Sequence, residues 1–172
     1  MTRDQPLGLC NGEAELMFKV FISHSTQYLR NVPVLHQSLS GTGVTAFVAK
    51  DAIPLLAKDI TSEIESCDLF LLLWSCEAES SPRVAQEVES ARSFNKKILP
   101  LVRSESSTFL RVAGDMKYTS LLVDPALALA QAREMMLESL SSKFPNSHRE
   151  QDAESSILLG LGAVLLWVLG QE

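Results

Sequence analysis

Leu69-Phe-Leu-Leu-Leu-Trp74 is an unbroken apolar run of six residues, set between Asp68 and Ser75. It is too short for an ordinary helix and shows no polar alternation. Such a run reads as a strand buried on both faces, as at the centre of a parallel sheet covered by helices. Upstream, Lys19-Val-Phe-Ile-Ser-His-Ser25 is β-branched and aromatic and reads as a first strand, followed by a second at Val44–Val48. Downstream, Ile98–Val102 reads as a fourth strand and Leu121–Val123 as a fifth. Helical spacings fill the intervals. Val32, Leu35, His36 and Leu39 follow a cap at Asn31 and end at Gly41-Thr-Gly43. Ile60, Ile64 and Cys67 mark a second inner face, and Ser81-Pro82 caps a helix carrying Val84, Val88 and Ala91. Asp124-Pro125 opens an amphipathic helix reaching about Leu140. This alternation predicts an α/β chain with right-handed crossovers, a doubly wound five-stranded parallel sheet rather than a barrel.

The 172 residues, 46% of them apolar, suffice for one core with tails. The expected division is a polar leader over 1–18, a domain over 19–144, a polar linker over 145–156 and a hydrophobic segment over 157–170. The net charge of −6 and pI near 5.1 argue against nucleic acid, whose phosphates require a basic stripe. That acidity belongs to the tails: between Lys19 and Phe144 there are 13 basic and 14 acidic residues, a net of −1. Cys10, Cys67 and Cys76 are odd in number and form no C-x-x-C pair, which fits a reducing compartment and a cytoplasmic location. The positive mean hydropathy of +0.11 owes much to Ile157–Leu169. At ~1.5 Å per residue, 157–170 would span about 21 Å against the ~30 Å bilayer core. Two readings stand open for it: a membrane tail anchor, with Trp167 at the interface, or a hydrophobic helix buried in an oligomer or against the domain.

Ligands of open parallel sheets bind beyond the carboxyl ends of the strands. The residues there are Ser23-His-Ser25, Lys50-Asp51, Ser75-Cys76-Glu77 and Arg103-Ser104. They lack the acidic set of a phosphoacceptor receiver and the glycine of a flavodoxin-type phosphate loop. Gly41-Thr-Gly43 precedes a strand, so it is a turn and not a dinucleotide fingerprint. Cys67 and Cys76 flank the third strand, which at ~3.3 Å per residue holds them roughly 25 to 30 Å apart and unpaired. No metal set is evident.

Five motifs in order resemble the Toll/interleukin-1 receptor (TIR) domain in its prokaryotic form. They are Val20-Phe-Ile-Ser-His-Ser25, Phe47 with the loop Lys50–Ala57, Leu69–Ser75, Ser81-Pro-Arg-Val-Ala-Gln-Glu87 and Lys97-Ile-Leu-Pro100. The resemblance covers about residues 19–144 and implies a flavodoxin-like sheet. It also implies one of two functions: an NAD+ hydrolase activated by homotypic TIR–TIR assembly in immune or cell-suicide signalling, or a non-enzymatic TIR–TIR interaction module. For the enzyme, NAD+ is the substrate and no cofactor is needed. The resemblance makes Glu87 the catalytic carboxylate, puts Phe21, Ser23 and His24 under and around the dinucleotide, and brings Lys50 towards its phosphates.

Helical geometry supports Glu87 on separate grounds. It lies three residues after Val84 and four before Ala91 on the inward stripe, with Glu89 turned to the far side. A carboxylate suits the chemistry because departing nicotinamide leaves oxocarbenium character on the ribose, which an adjacent anion stabilises. Three positions depart from the family pattern. Leu56 stands where a glycine is usual, Arg83 replaces an aromatic residue, and Thr26-Gln27-Tyr28 lacks an acidic residue.

Overall fold

The computed structural model describes residues 17–25, 32–40, 43–48, 57–118, 120–145 and 148–169, with side chains of the last segment described over 153–163. Four strands, β1 (Phe18–Ser23), β2 (Val44–Val48), β3 (Leu69–Trp74) and β4 (Ile98–Val102), form one sheet in the order β2-β1-β3-β4. All neighbouring pairs are parallel, with Phe21 opposite both Phe47 and Phe70. The helices are α1 (Val32–Leu39), α2 (Ala57–Ser66), α3 (Cys76–Glu79), α4 (Pro82–Ser93), α5 (Ser107–Ala113), α6 (Pro125–Lys143) and α7 (His148–Leu169). Every residue of β3 is buried, as an unbroken apolar run requires at the centre of a two-sided sheet.

Strand alternation divides the interior into two cores. Val20, Ile22, Leu69, Leu71, Leu73, Leu99 and Leu101 face α1, α6 and α7. Phe21, Phe70, Leu72, Trp74 and Val102 face the other way, against Ile64 of α2, Val84, Val88 and Ala91 of α4, and Phe109 of α5. Ser23 is two residues beyond Phe21, so the pleat directs it to the α4 side.

The expected fifth strand does not form. Ser120 makes a single parallel bridge with Val102, and the Leu121 N–H donates to the Val102 carbonyl at 2.7 Å. The N–H groups of Val123 and Asp124 then both return to the Ser120 carbonyl, at 3.2 and 3.1 Å, closing a turn. Asp124 caps α6 by accepting from the Leu127 N–H at 2.9 Å. The cap bends the chain after one ladder position, leaving Leu121 buried but Leu122 and Val123 exposed. Two short helices, α3 and α5, form in addition to those expected. Of these, α5 carries the usual signals, a Ser106 cap and a Gly114 stop at φ +55.

The expected break between a polar linker at 145–156 and a hydrophobic segment at 157–170 is also absent, because α7 runs through it. Ala153, Ser156, Ile157 and Leu161 form a buried stripe at three- and four-residue spacing, hidden in the linker by its polar outer face. Arg133 of α6 holds Glu154 at 2.9 Å. Gly160 lies so close to α1 that a Cβ would collide with Cδ2 and Cγ of Leu39. Ile157, Leu161 and Ala163 are therefore buried in the core that α1 and α6 share, and among the described residues no helix is long and apolar enough to cross a membrane.

This docking predicts opposite outcomes at two glycines one turn-half apart. Gly160→Ala forces Leu39 out of place and lowers unfolding stability by about 1–3 kcal/mol. Gly162→Ala meets nothing within 4 Å and raises stability by about 0.5–1 kcal/mol through helix propensity. Urea unfolding of both variants checks the pair.

Candidate functional site

The site is built where β1 ends beneath α4. Ser81 accepts from the Val84 N–H at 3.4 Å and Pro82 takes the first turn, so α4 starts at a fixed position. The inward stripe of α4 is Val84, Glu87, Val88 and Ala91, all buried. Glu87 is thus a carboxylate in an apolar stripe, 3% exposed. The Ser23 hydroxyl donates to its Oε2 at 2.5 Å. Arg83, one helical turn earlier, brings Nε to 3.6 Å from Oε1, while its Nη2 donates to the His24 carbonyl at 2.6 Å. One guanidinium so joins α4, the carboxylate and the end of β1. A buried carboxylate requires such company, since desolvation without partners costs several kcal/mol per ion (roughly, in real proteins).

The residues expected to touch a ligand fall into separate places. Ser23 and Glu87 are in direct contact. Phe21 is fully buried, its ring stacked between Phe47 at 5.5 Å and Phe70 at 5.3 Å, so it is core that supports the site from below. The His24 ring is buried, with Nδ1 2.7 Å from the Ser25 carbonyl, and its main-chain carbonyl is the group that joins the site. Lys50 and Leu56 lie outside the described residues. Arg83 departs from the family pattern, and its i, i+4 spacing to Glu87 is the signal that identifies it as a clamp.

Beside Glu87 a cleft of about 430 Å³ opens between α2 and α4. Ile60, Thr61 and Ile64 line it from α2, and Arg83, Gln86, Glu87, Glu89, Ser90 and Ser93 from α4. Glu89 was expected on the far side of the helix. At about 100° per residue, Gln86, Glu89 and Ser93 fall on the outward side of α4 and Glu87 on its inward side, with Arg83 and Ser90 between them. The cleft spans that side of the helix, so both carboxylates line it.

Further polar groups remain unspent along the same carboxyl edge. Ser25 Oγ, Ser75 Oγ and Trp74 Nε1 are buried without a hydrogen-bond partner among the described residues. Groups of this kind cost about 1–3 kcal/mol each when left so, and they mark a place where water or ligand completes the bonding. Cys76 is exposed here, but its hydrogen bond with Glu77 raises its thiol above the ordinary value, which disfavours a thiolate nucleophile. Burial pushes Cys67, before β3, up to about 11. Among the described residues no group of three His, Cys, Asp or Glu side chains could hold a metal ion.

Against known families, residues 20–134 match the family model described as TIR domain. That span runs from β1 into α6 and contains Ser23, Arg83 and Glu87. No curated protein matches the chain significantly.

Removing the Ser23 hydroxyl should reveal what holds the carboxylate in place. Ser23→Ala is expected to lower unfolding free energy by about 1.5–3 kcal/mol, the range for a hydrogen bond to a charged group. Chemical denaturation reads this directly, and an unchanged midpoint would show that the contact contributes nothing.

Proposed function

The chain belongs to the TIR-domain family and is a TIR-type signalling module, and from that premise we propose that it is an NAD+ hydrolase, switched on by homotypic TIR–TIR assembly. NAD+ is its substrate, no cofactor takes part, and the site of action is the cytoplasm, in immune or cell-suicide signalling. The observation that carries the reading is the Glu87 carboxylate, 3% exposed, oriented by Ser23 at 2.5 Å and bordering a cleft of about 430 Å³. Since Ile157, Leu161 and Ala163 are buried in the core, no membrane contact is part of the proposal.

In this reading Glu87 accepts from the ribose hydroxyls and lies beside C1′. The C1′–N bond breaks with its electron pair moving to the ring nitrogen, and the cationic pyridinium leaves as neutral nicotinamide. Water then adds to C1′ and releases a proton, giving ADP-ribose. No general acid is required, because the leaving group needs no proton. The carboxylate stabilises the positive character at C1′, and a low-dielectric setting strengthens that attraction. Ser23 fixes one carboxylate oxygen in advance, so little reorganisation is needed as charge develops.

The rival is a TIR–TIR interaction module without catalysis. Exposed apolar side chains favour it, namely Leu122 at 60%, Val123 at 81% and Leu127 at 47%, clustered where the chain enters α6. Self-association is common to both readings, so turnover decides between them.

Concentrated full-length protein incubated with NAD+ is expected to release nicotinamide, with the rate per protomer rising as protein concentration rises. Glu87→Ala should lower that rate by at least about 100-fold, the scale for losing one preorganised stabiliser. Absence of turnover in every assembly state, or equal turnover in Glu87→Ala, establishes the interaction module instead.

A further inference from the structure

Turnover by Glu87 requires that one carboxylate oxygen be open to the ribose, and in the single chain neither is. Oε2 is taken by the Ser23 hydroxyl at 2.5 Å, and Oε1 faces Arg83 Nε at 3.6 Å. The Glu87 side chain is 3% exposed and that of Arg83 21%. At about 100° per residue, Arg83 stands next to Glu87 round α4 on the side where the cleft opens, and both line that cleft. The guanidinium is therefore the outer of the two groups and lies across the way to the carboxylate. Its Nη2 anchors it there by donating to the His24 carbonyl at 2.6 Å.

This arrangement suits a resting site and opposes a working one. The reaction above gathers positive character on C1′, and Glu87 is the anion that stabilises it. A guanidinium beside that anion already satisfies it, and repels the cation that has to form there. Arg83 and the developing ribosyl cation thus compete for one carboxylate. While the anchor holds, Arg83 wins, because its charge persists at any working pH and its five donors serve two elements at once. Release needs no movement of the α4 backbone, since a change of side-chain rotamer is enough. The anchor itself belongs to the end of β1, so whatever shifts that strand end against α4 removes the anchor and uncovers Glu87 in one step.

We propose that Arg83 is an autoinhibitory counter-ion, lying over Glu87 in the single protomer and leaving it on homotypic assembly. The consequence for rate rests on the hydrolase reading, whereas the cover over Glu87 is a property of the chain and is measurable without NAD+. Arg83 touches no reacting atom and acts through Glu87 alone. It supplies a physical reason for the rate per protomer to rise with protein concentration: each protomer is shut until a second one displaces the end of its β1.

The test couples the carboxylates of the dilute full-length chain to a small amine with a water-soluble carbodiimide and reads each site by mass spectrometry. The exposed Glu89 reports on the reagent and should couple equally in every variant. Glu87 should resist coupling in the unmodified chain and couple at least about tenfold faster in Arg83→Ala, the factor expected if about a tenth or less of single protomers are open. Ser23→Ala separates a cover from general loosening. It removes a hydrogen bond to the same carboxylate but leaves Arg83 in place, so Glu87 should stay protected. Should urea unfolding show that Arg83→Ala disturbs the fold, Arg83→Gln takes its place and should give the same gain, because it keeps a donor for the His24 carbonyl and loses the charge. Equal protection with and without the Arg83 charge, or equal exposure in Ser23→Ala, overturns the proposal. Where NAD+ is cleaved, Arg83→Ala should raise the dilute rate per protomer about tenfold and flatten its dependence on protein concentration; an unchanged or lower rate also overturns it. Uncovering of Glu87 without turnover in any variant or assembly state defeats the hydrolase reading, and the inhibitory role with it, while the cover stands.

Discussion

The buried carboxylate of Glu87 is the constraint around which the described structure is organised. Taking it from water is unfavourable by itself, and it is tolerated because Ser23 donates to one oxygen while Arg83 faces the other. Those partners come from 64 and 4 residues away in the chain. Their meeting requires that β1 end at Ser23, that Ser81 start α4 at a fixed turn, and that both flank the same sheet face. The stacked rings of Phe47, Phe21 and Phe70 supply a rigid layer beneath, so Ser23, two residues beyond Phe21, emerges at a defined height. The Arg83 bond to the His24 carbonyl completes the clamp by holding the helix to the strand end.

The two ends of the sheet are treated differently. At the amino end Asp68 accepts from the Lys19 N–H at 2.7 Å and from Lys143 at 2.6 Å, and Lys143 also donates to the Met17 carbonyl. There the polar groups are satisfied within the chain, as structural ones should be. At the carboxyl end Ser25, Ser75 and the Trp74 indole are buried without partners among the described residues. An edge that retains bonding capacity is suited to binding, and this is the edge that parallel sheets commonly present to ligands. The opposite core is closed by α1, α6 and α7.

The layers were legible because β1, β3 and β4 are apolar on both faces and the intervening helices follow a three- and four-residue rhythm. Elements whose signal was short or masked were not. Leu121–Val123 reads as a strand by composition, but the Asp124 cap bends it after one bridge. The inner stripe of α7, Ala153, Ser156, Ile157 and Leu161, contains only two large apolar residues, so its polar first turns resembled a linker. For the site, periodicity alone placed Glu87 on the inner stripe, whereas Phe21 gives no sign in sequence of whether it faces a ligand or fills the core. Glu89 is exposed on the outward side of α4, as its spacing implies, yet it also lines the cleft, because a helical wheel assigns a direction relative to one partner. It does not say on which flank a second helix, here α2, leaves a gap.

Local chemistry therefore determined the alternation of strands and helices, the parallel character of the sheet, the strand ends at which a site belongs, and the inward glutamate. Each of these depends on residues within a few positions of one another, which is the range over which periodicity and capping act. Tertiary structure alone decided that Ser23 meets that glutamate, that Arg83 also reaches the His24 carbonyl, that α7 lies on α1 rather than apart from it, and that a cleft lined by Ile60 and Ile64 opens between α2 and α4. These depend on distances between segments far apart in the chain, and such distances are set by how whole layers pack, which no local pattern encodes.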